Sequence, residues 1–126
     1  ADMVRQAREA HGEDDAVRWV VGDRPPDLHD YVVASGIFNV RGDAGDGEWL
    51  EFVEHATGLM DASSARGFAF NCLSTCSDRD RREARLFYAD PGAMFDACQR
   101  RFSRHVALLQ DYGLYEFTLL VRKEPR

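Results

Sequence analysis

The spacing of apolar residues along the chain predicts three helices. The clearest lies over residues 48–62, where apolar side chains recur every three or four positions and would share one face of a helix. Those apolar residues are Trp49, Phe52, Val53, Ala56 and Met60. Similar spacing predicts shorter helices over residues 2–11 and 93–102.

Short runs rich in β-branched and aromatic residues predict strands between and after these helices. The predicted strands cover residues 17–21, 30–34, 68–73, 106–109 and 115–121. The last two are separated by a tight-turn sequence containing Asp111 and Gly113, which favours an antiparallel hairpin. Residues 30–34 are almost continuously apolar, which is typical of a strand buried on both faces. The alternation predicts a mainly parallel α/β sheet with an antiparallel edge.

Other segments read as connections. Pro25 and Pro26 force a loop. Residues 41–48 form an acidic loop that contains an Arg-Gly-Asp tripeptide, which chance explains. Residues 78–85 are rich in charges and are interpreted as a solvated loop, and residues 86–91 as a short aromatic segment.

Composition bounds the class of protein. The chain has 126 residues, is 44% hydrophobic and 30% charged, and therefore suits one soluble domain. A net charge of −6 argues against a nucleic-acid partner, because phosphate contacts need clustered Lys and Arg. No apolar stretch approaches the roughly 20 residues needed to cross a bilayer, and the N-terminus has no signal-like pattern, so no membrane partner is predicted.

The cysteines and histidines give no catalytic constellation. Three cysteines provide no disulfide framework, which predicts a reducing, cytoplasmic location. Cys72 and Cys76 lack a second ligand pair, so no metal is predicted and buried thiols are favoured. His105, near the start of a predicted strand, is the one histidine considered as a general base, but no Cys/His/Asp or Ser/His/Asp constellation is evident, so no catalytic residue is assigned.

The ordered series of segments resembles the class I S-adenosylmethionine-dependent methyltransferases. DMVRQAR resembles the helix after the family's second strand, VRWVVGD its third strand and DYVVASGIFNV its fourth. GFAFNCLS is similar to the fifth strand, and VALLQDYGLYEFTLLVRK to the sixth and seventh with their turn. The resemblance implies a Rossmann-like sheet, mostly parallel, with a C-terminal antiparallel hairpin.

The chain departs from the family at its start. The glycine-rich loop after the family's first strand, and the acidic residue that ends its second, have no counterpart here. Residues 1–126 are therefore expected to be a single partial domain that lacks the first two strands. In the family's strand order, 3-2-1-4-5-7-6, the strand at residues 30–34 would then expose an apolar edge, which predicts a homodimer or another chain covering it.

The resemblance also implies a cofactor region. Gly22, Asp23, Ala34, Ser35 and Gly36 would lie near S-adenosylmethionine, with Asp23 accepting a hydrogen bond from the adenine amino group. Ser35 and Gly36 would line the channel beside the sulfonium. From the residues alone, plain turns are favoured: Gly22-Asp23 is then a strand-ending turn, and Ser35-Gly36 a β-to-α turn. The resemblance reverses that preference toward the cofactor.

Three residues are candidates for binding the methyl acceptor: Phe38, Asn39 and Tyr88. For Tyr88, covering the sheet edge is at least as well supported. Asn71 is an amide inside an apolar strand and must find partners. It would either organise the end of the neighbouring strand through Ser35 or Asn39, or satisfy backbone groups in the core.

Two functions follow from the resemblance. The first is an S-adenosylmethionine-dependent methyltransferase acting on a small molecule, of which this chain is the C-terminal part. The alternative is a non-catalytic, methyltransferase-like remnant that serves in assembly or dimerisation. Because the main cofactor contacts are missing, we expect this chain alone to bind S-adenosylmethionine weakly or not at all.

Overall fold

The computed structural model describes residues 2–77 and 83–123, which form one five-stranded sheet and three helices. The strands are β1 (His29–Ala34), β2 (Ser64–Ser74), β3 (Tyr88–Ala89), β4 (Val106–Leu109) and β5 (Glu116–Arg122). The helices are α1 (Asp2–His11), α2 (Asp46–Ser63) and α3 (Pro91–Arg101). None of the described helices is long and apolar enough to cross a membrane.

Within the described residues the sheet is mixed, with two parallel and two antiparallel strand pairings, so the prediction of a mainly parallel sheet is wrong. Its order is β1-β2-β5-β4, and β3 pairs with the end of β2. β1 and β3 run parallel to β2, whereas β5 runs antiparallel to both β2 and β4. The predicted antiparallel pair at the end of the chain is confirmed, and the architecture is compatible with a Rossmann-like fold.

The core lies between this sheet and the helices. Alternate residues of β2 and β5 point inward and are almost fully buried, because side chains on a strand alternate between the two faces. These residues are Phe68, Phe70, Cys72, Phe117, Leu119 and Val121. Val53 and Met60 from α2 and Cys98 from α3 pack against them. The helical spacing read from the sequence therefore marks the faces that enter the core.

The strand predicted at residues 17–21 is wrong. That segment is irregular and its hydrogen bonds run to nearby loop groups: Trp19 N donates to Glu13 Oε2 (2.9 Å), and Trp19 Nε1 donates to the carbonyl of Gly12 (2.6 Å). β propensity alone does not make a strand, because a strand needs a neighbour to complete its ladder. No strand among the described residues pairs with this segment.

The burial predicted for residues 30–34 on both faces is also wrong. The side chains of Tyr31 and Val33 are 60% and 74% exposed, while Val32 and Ala34, on the other face, are half-buried against the core. β1 pairs with β2 and, within the described chain, with no strand on its other side. Within the described residues, β1 therefore has one unpaired edge, and its outward face carries two exposed apolar side chains.

Two helices begin earlier than the apolar pattern predicts. α2 starts at Asp46, and α3 starts at Pro91 because Asp90 caps it, its Oδ1 accepting from Gly92 N (2.9 Å) and Ala93 N (3.3 Å). Of the predicted charged loop at residues 78–85, residues 78–82 lie outside the described residues.

Candidate functional site

The turn that follows β1 is held in a conformation that requires glycine. Gly36 has φ of +77°, in the left-handed region that other residues adopt only under strain. A Cβ at this position would meet nothing closer than Asn39 Nδ2, at 3.9 Å. The glycine is therefore needed for backbone conformation rather than for space. Ser35 and Gly36 are both exposed at the carboxyl end of β1.

Asn71, on the neighbouring strand β2, fixes this turn. Its Oδ1 accepts a hydrogen bond from Gly36 N (2.8 Å), and its Nδ2 donates to Ser35 Oγ (3.1 Å). Of the two alternatives left open by the sequence, Asn71 thus organises the end of the adjacent strand. One amide side chain sets both the backbone of Gly36 and the hydroxyl of Ser35. We call Ser35, Gly36 and Asn71 the strand-end cluster.

Phe38 lies beneath the turn rather than on its surface. Its ring is fully buried and makes edge-on contacts with Phe70 (centroids 5.6 Å apart) and Phe52 (5.9 Å). Trp49 Nε1 donates to the carbonyl of Phe38 (2.9 Å), which ties the loop to α2. This position suits a support for the turn. The sequence did not predict that Trp49 anchors this loop. Apolar spacing shows which face of the helix Trp49 lies on, but it does not show what the indole N–H binds.

Asn39 links the turn to the segment around β3. Its main-chain oxygen accepts from Phe87 N (2.8 Å), so the turn and Tyr88 are neighbours. Asn39 Oδ1 is buried and has no hydrogen-bond partner among the described residues. Tyr88 is half-buried, and its hydroxyl accepts from Glu83 N (3.0 Å). Ala34, the last residue of β1, pairs with Phe70 just before the turn.

Gly22 and Asp23 lie on exposed irregular chain that precedes β1. The carboxylate of Asp23 accepts from Arg24 Nε (3.2 Å), and this hydrogen bond and the charge of Arg24 lower the pKa of Asp23, with a small further contribution from His55 on α2. No hydrogen bond described in the structure joins Gly22 or Asp23 to the strand-end cluster.

A cleft lies between α2 and α3 and has a volume of about 380 Å³. Its walls come from one face of each helix, and its floor from residues 87–89. We call it the interhelical cleft, and its lining residues are Asp46, Leu50, Val53, Glu54, Thr75, Phe87, Tyr88, Ala89, Asp90, Ala93, Met94, Ala97 and Arg101. Sequence reasoning missed it. The small side chains of Ala93 and Ala97 are the sequence feature that could have indicated a cleft, but small residues leave a cleft only where a second helix lies at a suitable distance.

The buried cysteines are poor nucleophiles. Burial raises the pKa of Cys72 to about 12 and that of Cys98 to about 11, so both thiols stay protonated near neutral pH. All three cysteines are free thiols, and Cys76 is exposed. Among residues 2–77 and 83–123, no group of three or more His, Cys, Asp or Glu side chains is arranged to hold a metal ion.

Comparison with known proteins gives one informative similarity. The chain is 57% identical over 94 residues to a curated protein of Mycobacterium tuberculosis (strain ATCC 25618 / H37Rv) named "Putative methyltransferase Rv1506c". The aligned part covers 75% of this chain and 57% of that protein, so the chain matches just over half of the relative's length. No protein-family profile matches the chain, and no solved structure matches it.

Proposed function

We propose that this chain is the C-terminal part of an S-adenosylmethionine-dependent methyltransferase that acts on a small molecule. The observation that carries the proposal is the 57% identity, over 94 residues, to the protein named "Putative methyltransferase Rv1506c". The antiparallel pair of β4 and β5 supports it, since this pair was expected from the resemblance to class I methyltransferases.

The strand-end cluster fits a place beside the cofactor. Ligands of open α/β sheets bind outside the carboxyl ends of the parallel strands, where Ser35 and Gly36 lie. The turn is exposed, and Asn71 fixes its Gly36 amide and Ser35 hydroxyl, so it offers a rigid and small wall. When bound, S-adenosylmethionine would supply the activated methyl group. The residues of this chain would orient the acceptor and exclude water.

The expected adenine contact fits less well. Asp23 is exposed, is engaged by Arg24, and is not joined to the strand-end cluster. The turn alone offers few polar groups to a nucleoside. We therefore expect isothermal titration of this chain with S-adenosylmethionine to give weak or undetectable binding.

Paired substitutions at Ser35 test the proposal in the natural protein that contains this chain. Ser35→Phe places a large ring where the cofactor would pass and should weaken S-adenosylmethionine binding about tenfold or more, the usual scale of steric overpacking. Ser35→Ala removes only the hydroxyl and should change binding by about threefold or less. Titration calorimetry measures both, and thermal unfolding checks that each variant is folded. Equal binding by the two variants would remove Ser35 from the cofactor site.

The exposed edge of β1 favours a second candidate function. A non-catalytic module that serves in assembly would use Tyr31 and Val33 for association and would not need the cofactor. Self-association of the natural protein, together with no detectable binding of S-adenosylmethionine and no methyl transfer, would support this alternative.

A further inference from the structure

The interhelical cleft exists because α3 presents small side chains to α2. Ala93 and Ala97 are one helical turn apart and lie on the wall that faces α2, so the two helices do not close on each other there. The floor is apolar: Val53, Phe87 and Ala89 are almost fully buried. A volume of about 380 Å³ lies within the range of small-molecule sites.

Arg101 closes one end of the cleft. Its guanidinium crosses from α3 to α2, where Nη1 donates to Thr57 Oγ1 (3.0 Å) and Nη2 donates to the carbonyl of Glu54 (2.9 Å). These bonds hold the two helices at a fixed spacing. The cleft is therefore a built cavity rather than a variable gap.

Carboxylates predominate among the charged residues of the lining. The lining includes three acidic residues, Asp46, Glu54 and Asp90, and one basic residue, Arg101. Arg41 forms an ion pair with Asp46. Neither Glu54 nor Asp90 has an ion pair with a lysine, arginine or histidine in the part of the chain that the structure describes.

The partial positive charges at the N-termini of α2 and α3 offset the negative charge of the lining only in part. Asp90 Oδ1 already accepts the Gly92 and Ala93 amides at the start of α3, which offsets the dipole of that helix. Glu54 lies two turns inside α2, beyond the first turn in which a helix dipole acts strongly. The lining thus favours a cationic group over an anionic one.

We propose that the interhelical cleft binds a small molecule that has a flat apolar body and a protonated amine. The apolar body lies on the floor formed by Val53, Phe87 and Ala89 and against Met94. The ammonium group lies among the carboxylates of the lining, with Glu54 as the main partner. No residue of the strand-end cluster lines the cleft, although Tyr88, one of the three residues expected to bind the methyl acceptor, does. The binding is nevertheless measurable without methyl transfer, because the test uses no S-adenosylmethionine.

Three indole compounds of similar size but different charge test the proposal: tryptamine (cation), tryptophol (neutral) and indole-3-acetate (anion). Each is titrated into the 15N-labelled protein without S-adenosylmethionine. Tryptamine should shift the amides of α2 and α3 that line the cleft, and should bind about fivefold more tightly than tryptophol, the scale of one exposed ion pair. Indole-3-acetate should bind more weakly than either, and added salt should weaken only tryptamine.

Two substitutions and one matched control locate the site. Glu54→Gln should weaken tryptamine binding about threefold to fivefold and leave tryptophol unchanged. Glu51→Gln removes an exposed carboxylate from the same helix but outside the lining, and should change neither. Ala97→Leu fills the cleft and should weaken both compounds.

Clear results would overturn the proposal. The first is the absence of amide shifts with tryptamine up to about 10 mM, a concentration that would detect even millimolar affinity. The second is binding of indole-3-acetate as tight as that of tryptamine. The third is a set of amide shifts centred on the strand-end cluster or on β1 instead of on the cleft. None of these outcomes depends on S-adenosylmethionine, so the proposed methyltransferase function can fail while the cleft proposal stands, and the reverse.

Discussion

The first 34 residues and the strands β2 and β5 use the same residue types with opposite results. In the first 34 residues, large apolar side chains are mostly exposed; they include Met3, Val17, Val20, Val21, Leu28, Tyr31 and Val33, each at least 41% exposed. In β2 and β5, the inward-facing apolar residues are at most 3% exposed. The difference does not lie in hydrophobicity, because valine and aromatic residues occur in both regions.

The difference in burial comes from the strands and helices that lie beside each region. β2 has a strand on each side and helices over its inner face, so each of its inward side chains meets partners from several elements. Residues 17–21 have no strand beside them, and α1 buries none of its residues. Burial stabilises a segment only where another element supplies the opposite surface. The apolar residues near the start of the chain therefore contribute little to the stability of this fold.

The largest expected effect contrasts the two regions directly. Phe117→Ala, in β5, should lower the free energy of unfolding by about 3–5 kcal/mol, because it leaves a cavity in a close-packed core. Val21→Ala should change it by about 0.5 kcal/mol or less, since Val21 is 63% exposed. Urea denaturation followed by circular dichroism measures both. A similar loss for the two variants would show that the first 34 residues are packed in solution.

An intermediate effect concerns the exposed edge of β1. We propose that a second copy of the chain covers this edge, since an unpaired apolar strand edge tends to recruit another strand. Val33→Lys should then weaken self-association about a hundredfold, because it would place a charge in an apolar interface. Light scattering over a concentration series measures this. Val17→Lys, at an exposed position outside the sheet, is the control, and a wild-type chain that is monomeric throughout would contradict the proposal.

The smallest effect concerns Asn71, which connects β1 to the buried strand β2. Asn71→Ala removes both hydrogen bonds to the turn and should lower the free energy of unfolding by about 1–2 kcal/mol. Thr118→Ala, at the position of β5 that pairs with Asn71, removes a hydrogen bond to the Tyr112 hydroxyl (2.9 Å) but none to the turn, so it is the control for amide exchange at Gly36. The loss should be accompanied by faster amide exchange at Gly36. Unchanged exchange there would show that the turn does not depend on this side chain.

The sequence predicted those features that local patterns determine. The amphipathic faces of α2 and α3, and the terminal antiparallel pair, follow from spacing and turn residues, and the structure confirms them. Residues 17–21 were misread because strand propensity says nothing about whether a neighbouring strand is present.

The candidate site was less predictable. For Asn71, the sequence showed that the amide needs partners, but only the register of β1 against β2 identifies them as Ser35 and Gly36. The interhelical cleft depends on the distance between two helices that are far apart in sequence. Ala93 and Ala97 alone do not determine that distance.

The backbone contacts between the loop after β1 and the segment before β3 restrict how this chain can vary. Arg41 N and Gly42 N both donate to the carbonyl of Arg85, and Val40 forms a bridge with Leu86. The two loops therefore form a short ribbon, so a residue inserted into one of them would shift its pairing with the other. Length changes in this region should be tolerated at residues 43–45, beyond the ribbon, where they leave both the turn and the floor of the cleft in register.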